Sequence, residues 1–152
     1  MRSVVLALAI PLFVLCGHAA AAQRVAVNDG DGLRIEGQSV RLWGIDAPEL
    51  DQTCEQNGRT VHCGEDARAL LGALAQRGDL LCETMDVDRY GRTVARCFAD
   101  GADLAAEMVR QGYALDWPRY SNGFYAGEQE QARAAGRGMW AGRFTAPWDW
   151  RR

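Results

Sequence analysis

Cys82 and Cys97 stand symmetrically about Asp88-Arg89-Tyr90-Gly91, and this placement limits the fold more than any other feature of the sequence. The central four residues have turn chemistry, and the flanking stretches 80–87 and 93–99 read as strands. The two arms then run antiparallel, with the cysteines facing each other within disulfide reach. Cys54 and Cys63 are the remaining pair and close a loop in the polar stretch 52–64. Four cysteines allow three connectivities, and the hairpin favours this one. A four-cysteine zinc site is the rival reading, against which stands the absence of any CxxC spacing.

A fifth cysteine, Cys16, lies in an N-terminal segment of a different kind. Arg2 precedes an apolar run from Val4 to Cys16, and a small-residue stretch through Ala22 follows. That order reads as a secretory signal peptide over residues 1–22, ahead of a domain over 23–152. The run is shorter than the roughly 20 apolar residues a bilayer span needs. Export to the periplasm or beyond agrees with paired cysteines, which persist in oxidising compartments. The processed chain is expected to be a monomer without stable membrane association.

The same segment carries Arg2 and no acid, so its removal moves the net charge from −3 to −4. An acidic domain does not grip nucleic acid indiscriminately, and any basic surface must be local. The chain contains no lysine, and beyond the leader His62 is the sole histidine. Lysine nucleophiles and two-histidine chemistry are thereby excluded within one chain. A general base must come from a carboxylate and a phosphate clamp from arginine.

Short β segments are expected at 24–28, 33–36 and 39–45, punctuated by Asp29-Gly30-Asp31-Gly32 and Gly37-Gln38. Pro48 ends this meander, and a loop runs to Gly64. Helices are expected at 65–77, 103–111 and 124–135. The first has Ala67, Leu70, Leu71 and Leu74 on one face, and the second is capped by Asp103. The stretch 113–117 reads as extended. The fold class is α+β and mainly β, a small barrel of short antiparallel strands with three helices. Trp140, Trp148 and Trp150 are expected to pin the final segment to the barrel, and Tyr113, Trp117 and Tyr120 are candidates for stacking on bases.

Four strings stand out: Asp29-Gly30-Asp31, Arg41-Leu42-Trp43-Gly44-Ile45-Asp46-Ala47-Pro48-Glu49, Asp88-Arg89-Tyr90-Gly91-Arg92, and the helix start Gly101-Ala102-Asp103-Leu104. Each alone is an ordinary turn, strand, hairpin tip or helix start. Together, in this order and spacing, they resemble the staphylococcal nuclease (thermonuclease) family, over about residues 25–140. The resemblance implies a five-stranded OB-type barrel with three helices. It implies that Asp31 and Asp46 bind Ca²⁺, with the Ala47 main-chain carbonyl completing the protein's share of the shell. It places Glu49 as the carboxylate that orients or deprotonates water, Arg41 and Arg92 as the catalytic arginines on the scissile phosphate, Tyr90 as a substrate contact, and Asp29 behind the metal ligands.

The chemistry is coherent on its own terms. Ca²⁺ takes oxygen ligands. Planar guanidinium groups pair bidentately with phosphate oxygens as charge builds there. The implied activity is Ca²⁺-dependent hydrolysis of phosphodiesters in DNA and/or RNA, with low sequence specificity and 3′-phosphate products. An inactive nucleic-acid-binding module on the same fold is the alternative. Two departures matter: Gly32 stands where the family often has threonine, and the chain is acidic and lysine-free, which predicts weak, salt-sensitive substrate binding.

Overall fold

The computed structural model describes residues 23–152, and the expected leader, 1–22, lies outside the described residues. Elements in chain order are β1 (Val25–Val27), β2 (Gly32–Ile35), β3 (Gln38–Leu42), β4 (Ile45–Asp46), β5 (Cys54–Gln56), β6 (Arg59–Val61), α1 (Cys63–Ala75), β7 (Leu80–Val87) and β8 (Thr93–Ala99). They continue with β9 (Ala102–Asp103), α2 (Leu104–Arg110), β10 (Leu115–Asp116), α3 (Pro118–Ser121), α4 (Ala126–Ala134), a 3₁₀ turn at Gly138–Ala141, β11 (Gly142–Arg143) and α5 (Pro147–Trp150).

The cysteine hairpin forms as its symmetry requires. Cys82 is registered opposite Cys97 across β7 and β8, and the two are disulfide-bonded with Cα atoms 4.1 Å apart. Cys54 and Cys63 form the second disulfide. The loop expected between 52 and 64 holds more order than its polarity suggested. β5 and β6 pair as a hairpin about Asn57-Gly58, both at positive φ, and β11 adds a third strand. Asn and Gly tolerate that conformation at little cost, so the turn signal was present in the sequence.

The main sheet follows the path β1-β2-β3-β8-β7, antiparallel except for β3 beside β8. This is the expected OB-type arrangement of five strands with helices, and the fold class is α+β and mainly β. The path's two ends meet through a side chain. The Gln23 amide group, just before β1, donates to the Leu80 carbonyl at 3.4 Å and accepts from the Leu80 amide at 2.9 Å. The third strand ends at Leu42, short of the expected Ile45. Gly44 adopts φ +77° there, and the chain resumes as β4 against β10.

α1, α2 and α4 are the three expected helices, with α3, α5 and the 3₁₀ turn as short additions. Ala67, Leu71 and Leu74 of α1 meet Leu104, Met108 and Val109 of α2 and the sheet residues Leu33, Val40 and Leu42 in one core. Each such fully buried aliphatic side chain contributes roughly 1.5–3 kcal/mol. Asp103 caps α2 as expected, accepting from the amides of Ala105 and Ala106. A second, smaller core surrounds the Cys54–Cys63 disulfide, where Trp140 and Trp148 hold the final segment. Trp150 does not share that role: it is 38 % exposed. Among the described residues no helix is long and apolar enough to cross a membrane.

Candidate active site

Two turns deliver two carboxylates to one place. Asp31 closes the β1–β2 turn and Asp46 ends β4, and both are buried. Gly32 and Arg41 are register partners across β2 and β3, which sets the arginine beside Asp31. A single guanidinium then bridges the acids: Arg41 Nη1 donates to Asp31 Oδ1 at 3.0 Å and Nη2 to Asp46 Oδ1 at 2.7 Å. The Ala47 amide donates to Asp31 Oδ2 at 3.0 Å.

Gly32 explains the neighbouring acid. A Cβ at that position would lie 2.5 Å from Asp29 Oδ1. Its absence lets the Asp29 carboxylate fold over the turn and accept from the Asp31 amide at 3.3 Å. Here Gly32 accommodates the Asp29 side chain.

Burial raises the Asp31 carboxyl to about 7, with Arg41 pulling it back and Asp29 and Asp46 pushing it further up. Asp46 is raised for the same first reason, against the bonds it receives from Arg151 and Arg41. Burial disfavours the Arg41 cation, but Asp31 and Asp46 outweigh burial and keep it protonated. Burial is the first cause of both shifts, and the positive charge of Arg41 and Arg151 falls short of offsetting it.

That shortage bears on a metal ion. Two buried carboxylates and the adjacent Ala47 backbone offer oxygen donors only, the set a hard divalent cation takes. Among the described residues no three His, Cys, Asp or Glu side chains converge into a complete cage. Water and substrate oxygens would fill the remaining positions. The residues present fit such an ion as a partial, open shell.

A cleft of about 910 Å³ joins this well to the hairpin, and Asp29, Asp31, Arg41, Ala47, Glu49, Tyr90 and Arg92 all line it. The loop bearing Glu49 is tied down by buried Gln52, whose Oε1 accepts from the Glu49 amide at 3.2 Å and whose Nε2 donates to the Thr145 carbonyl at 2.7 Å. Arg92 projects from the far arm of the hairpin turn. Its Nε donates to Asp88 Oδ2 at 2.7 Å, and its amide donates to Asp88 Oδ1 at 3.0 Å. Burial is the largest single influence and works against the Asp88 anion, but these bonds, one from the Tyr90 amide and the Arg92 charge together hold its carboxyl below the usual range. Tyr90 is exposed at the tip, with the Arg89 and Arg92 guanidinium centres 4.8 and 5.7 Å from its ring.

Of the aromatic candidates, Trp117 and Tyr120 line the cleft and pack edge to face, whereas Tyr113 lies half-buried against the main core. His62 is exposed.

One site residue escaped the sequence reading. Arg151, just past α5, donates through Nη2 to Asp46 Oδ2 at 2.7 Å and through Nη1 to Glu49 Oε1. Trp148 brings it there by stacking on Trp117, ring centroids 6.2 Å apart and planes at 18°. The Arg41 and Arg151 guanidinium centres lie 5.7 and 5.8 Å from the Trp117 ring. The sequence carried no local signal for it, because its place depends on the contact of Trp148 with the distant Trp117.

A sequence profile described as staphylococcal nuclease homologue matches residues 39–142. The succinoglycan biosynthesis protein ExoI of Rhizobium meliloti is 38 % identical over 120 residues, covering 77 % of this chain and 63 % of that protein. An uncharacterized endonuclease of Haemophilus influenzae is 33 % identical over 135 residues, 84 % of this chain and 71 % of the relative. A micrococcal nuclease of Shigella flexneri is 30 % identical over 145 residues, 84 % and 78 % respectively. This chain thus spans less than two thirds of the first of these relatives and more of the other two. With the site strings, the sheet order and the matched segment in agreement, the chain belongs to the staphylococcal nuclease family.

Proposed function

We propose that this protein is a nuclease that hydrolyses phosphodiester bonds of DNA and/or RNA with low sequence specificity, leaving 3′-phosphate ends. The observation that carries the reading is the Arg41 bridge between buried Asp31 and Asp46, in a cleft that also holds Glu49 and Arg92. Buried acids with an arginine between them are a costly arrangement for stability alone. They are useful where a phosphate and a cation must meet.

Asp31, Asp46 and the Ala47 carbonyl would hold Ca²⁺. When bound, the ion would neutralise charge on the phosphate and help to position water. Arg41 and Arg92 bind the nonbridging phosphate oxygens and oppose the charge that builds on them. Asp88 engages only Nε of the Arg92 side chain, so both Nη groups can meet the phosphate. Glu49 accepts the proton of the attacking water or fixes its orientation. Tyr90 contacts a substrate phosphate beside Arg92. The relatives named as endonuclease and micrococcal nuclease support the class of reaction. Export to the periplasm or outside the cell is part of the same proposal, supported by two disulfides that an oxidising compartment maintains.

The test is incubation of the protein lacking residues 1–22 with single- and double-stranded DNA and with RNA, with Ca²⁺ or with chelator. Glu49→Gln and Arg92→Ala variants run alongside. Cleavage that chelator stops and both variants lose is the expected result. Binding without cleavage by the unaltered protein would replace the nuclease reading with that of an inactive binding module.

A further inference from the structure

The family match ends at residue 142, and Arg151 lies beyond it. Arg89 and Arg119 also line the cleft beside Arg41 and Arg92, but nothing in the motifs that define the site calls for the arginine that reaches its acids from the final segment, Arg151. Its partners are the two carboxylates nearest the proposed chemistry. Asp46 is fully screened from solvent, and each of its oxygens is capped by a guanidinium: Oδ1 by Arg41 and Oδ2 by Arg151. Arg151 itself keeps 34 % of its side-chain surface open to the cleft. A cation approaching Asp46 from the cleft therefore meets Arg151 first.

The charge count points the same way. With Asp29, Asp31, Asp46 and Glu49 ionised the group carries four negative charges, and Arg41 and Arg151 return two. A divalent ion added to that group cancels the remaining excess, so it weakens the hold of the acids on Arg151. A phosphodiester in the cleft then offers the guanidinium a new anionic partner. Trp117 stays beneath both arginines throughout, with Trp148 stacked on it, so Arg151 is held near the cleft whichever anion it faces.

We propose that Arg151 is a third phosphate-binding arginine, parked on Asp46 and Glu49 until a divalent cation takes those carboxylates and frees it for the substrate. This proposal rests on the nuclease reading for its second half and on the acids alone for its first.

Two measurements separate them, on the protein lacking residues 1–22. Calorimetric titration with Ca²⁺, with no nucleic acid present, reads the competition. Arg151→Ala is expected to bind Ca²⁺ about tenfold more tightly than the unaltered protein, a difference of about 1.4 kcal/mol. Arg152→Ala, which loses an exposed arginine paired with Asp149, is expected to leave the affinity unchanged. Binding of a short single-stranded phosphorothioate oligonucleotide at saturating Ca²⁺ reads the phosphate contact. There Arg151→Ala is expected to bind about tenfold more weakly, and its slope of log affinity against log salt is expected to flatten by about 0.7, one phosphate contact's worth.

Circular dichroism checks the fold, and Arg151→Gln, which keeps a side-chain amide donor but no charge, repeats both measurements should the alanine variant not fold. Unchanged or weaker Ca²⁺ affinity overturns the parking, and an unchanged salt slope overturns the phosphate contact. Failure of the unaltered protein to bind the oligonucleotide at all would instead strike the nuclease reading, while the Ca²⁺ titration still reports on the competition.

Discussion

The acidic well and the hairpin tip use the same chemical pair, an arginine on an aspartate, and hold it in opposite ways. Arg41, on β3 of the main sheet, spans Asp31 in the β1–β2 turn and Asp46 at the end of β4, with its side chain 16 % exposed and its partners almost fully buried. Arg92 rests on Asp88, four residues away within one turn, with its side chain 35 % exposed. The first pairing is part of the fold. The second is a local bond at the edge of solvent, where ion pairs are worth at most about 1 kcal/mol. The site thus joins an acidic half fixed by the core, the proposed cation site, to a hairpin half, the proposed phosphate site, whose ion pair lies at the edge of solvent.

Removing each arginine is the most direct way to break this contrast. Arg41→Met leaves two buried carboxylates without their shared partner, and loss of one member of a buried pair costs roughly 3–5 kcal/mol. The lower end is expected, because buried acids can take up protons in response. Arg92→Ala is expected to lower stability by under about 1 kcal/mol. Both variants are expected to lose on the order of 10²–10³ in turnover, the usual effect of deleting one donor to a developing oxyanion. Thermal unfolding beside cleavage rates separates the two positions. Equal losses of Tm would mean that the hairpin tip is as much a part of the fold as the well.

The disulfides sharpen the contrast at the next level. The Cys82–Cys97 bond closes a segment with a separation of 15 residues around the turn that carries Tyr90 and Arg92. Replacing both cysteines by serine is expected to cost about 3 kcal/mol by the chain-entropy estimate. If the hairpin is independent of the well, Ca²⁺ affinity should survive that change while KM for nucleic acid rises. The Cys54–Cys63 pair, with a separation of 9 residues, lies beside Gln52, and Gln52 in turn holds Glu49. Its loss is expected to cost slightly less stability and to lower kcat rather than raise KM. The same kinetic signature from both pairs would dissolve the division of the site into halves.

What the sequence revealed follows the same division. Asp31, Arg41, Asp46 and Glu49 were singled out because their two strings resemble those of a known family, and strand register then sets Arg41 beside Asp31. Arg92 and Tyr90 were singled out by the same resemblance, and their turn fixes their neighbours. The hairpin and both disulfides followed from cysteine symmetry and polarity. Arg151 was not legible, since its place depends on Trp148 finding Trp117 from 31 positions away, a contact that no local pattern encodes. The β5–β6 hairpin was missed for a different reason: its strands are three residues each and polar, so alternation had no room to show. The pairing of β4 with β10 was equally invisible, because two-residue strands carry no period at all.

Gly32 sets the finest test, because it lies within the well yet touches only its outer acid. Gly32→Ala places a methyl where Asp29 Oδ1 now sits, and the carboxylate is the free end of a side chain that can swing away. Swinging away removes the acceptor of the Asp31 amide, a bond of 3.3 Å that contributes little, so the stability cost should stay under about 1 kcal/mol. It also moves a negative charge away from Asp31, one of those that raise its carboxyl. If the well is as rigid as its burial implies, Arg41 and both buried acids keep their places and turnover at saturating Ca²⁺ is unchanged. Ca²⁺ affinity should fall by about two- to threefold, the loss of one nearby but non-ligating charge in a partly solvated turn. A drop in turnover at saturating Ca²⁺ would show that the outer acid helps to hold the inner ones, and that the well is less a finished part of the fold than the comparison with the hairpin makes it.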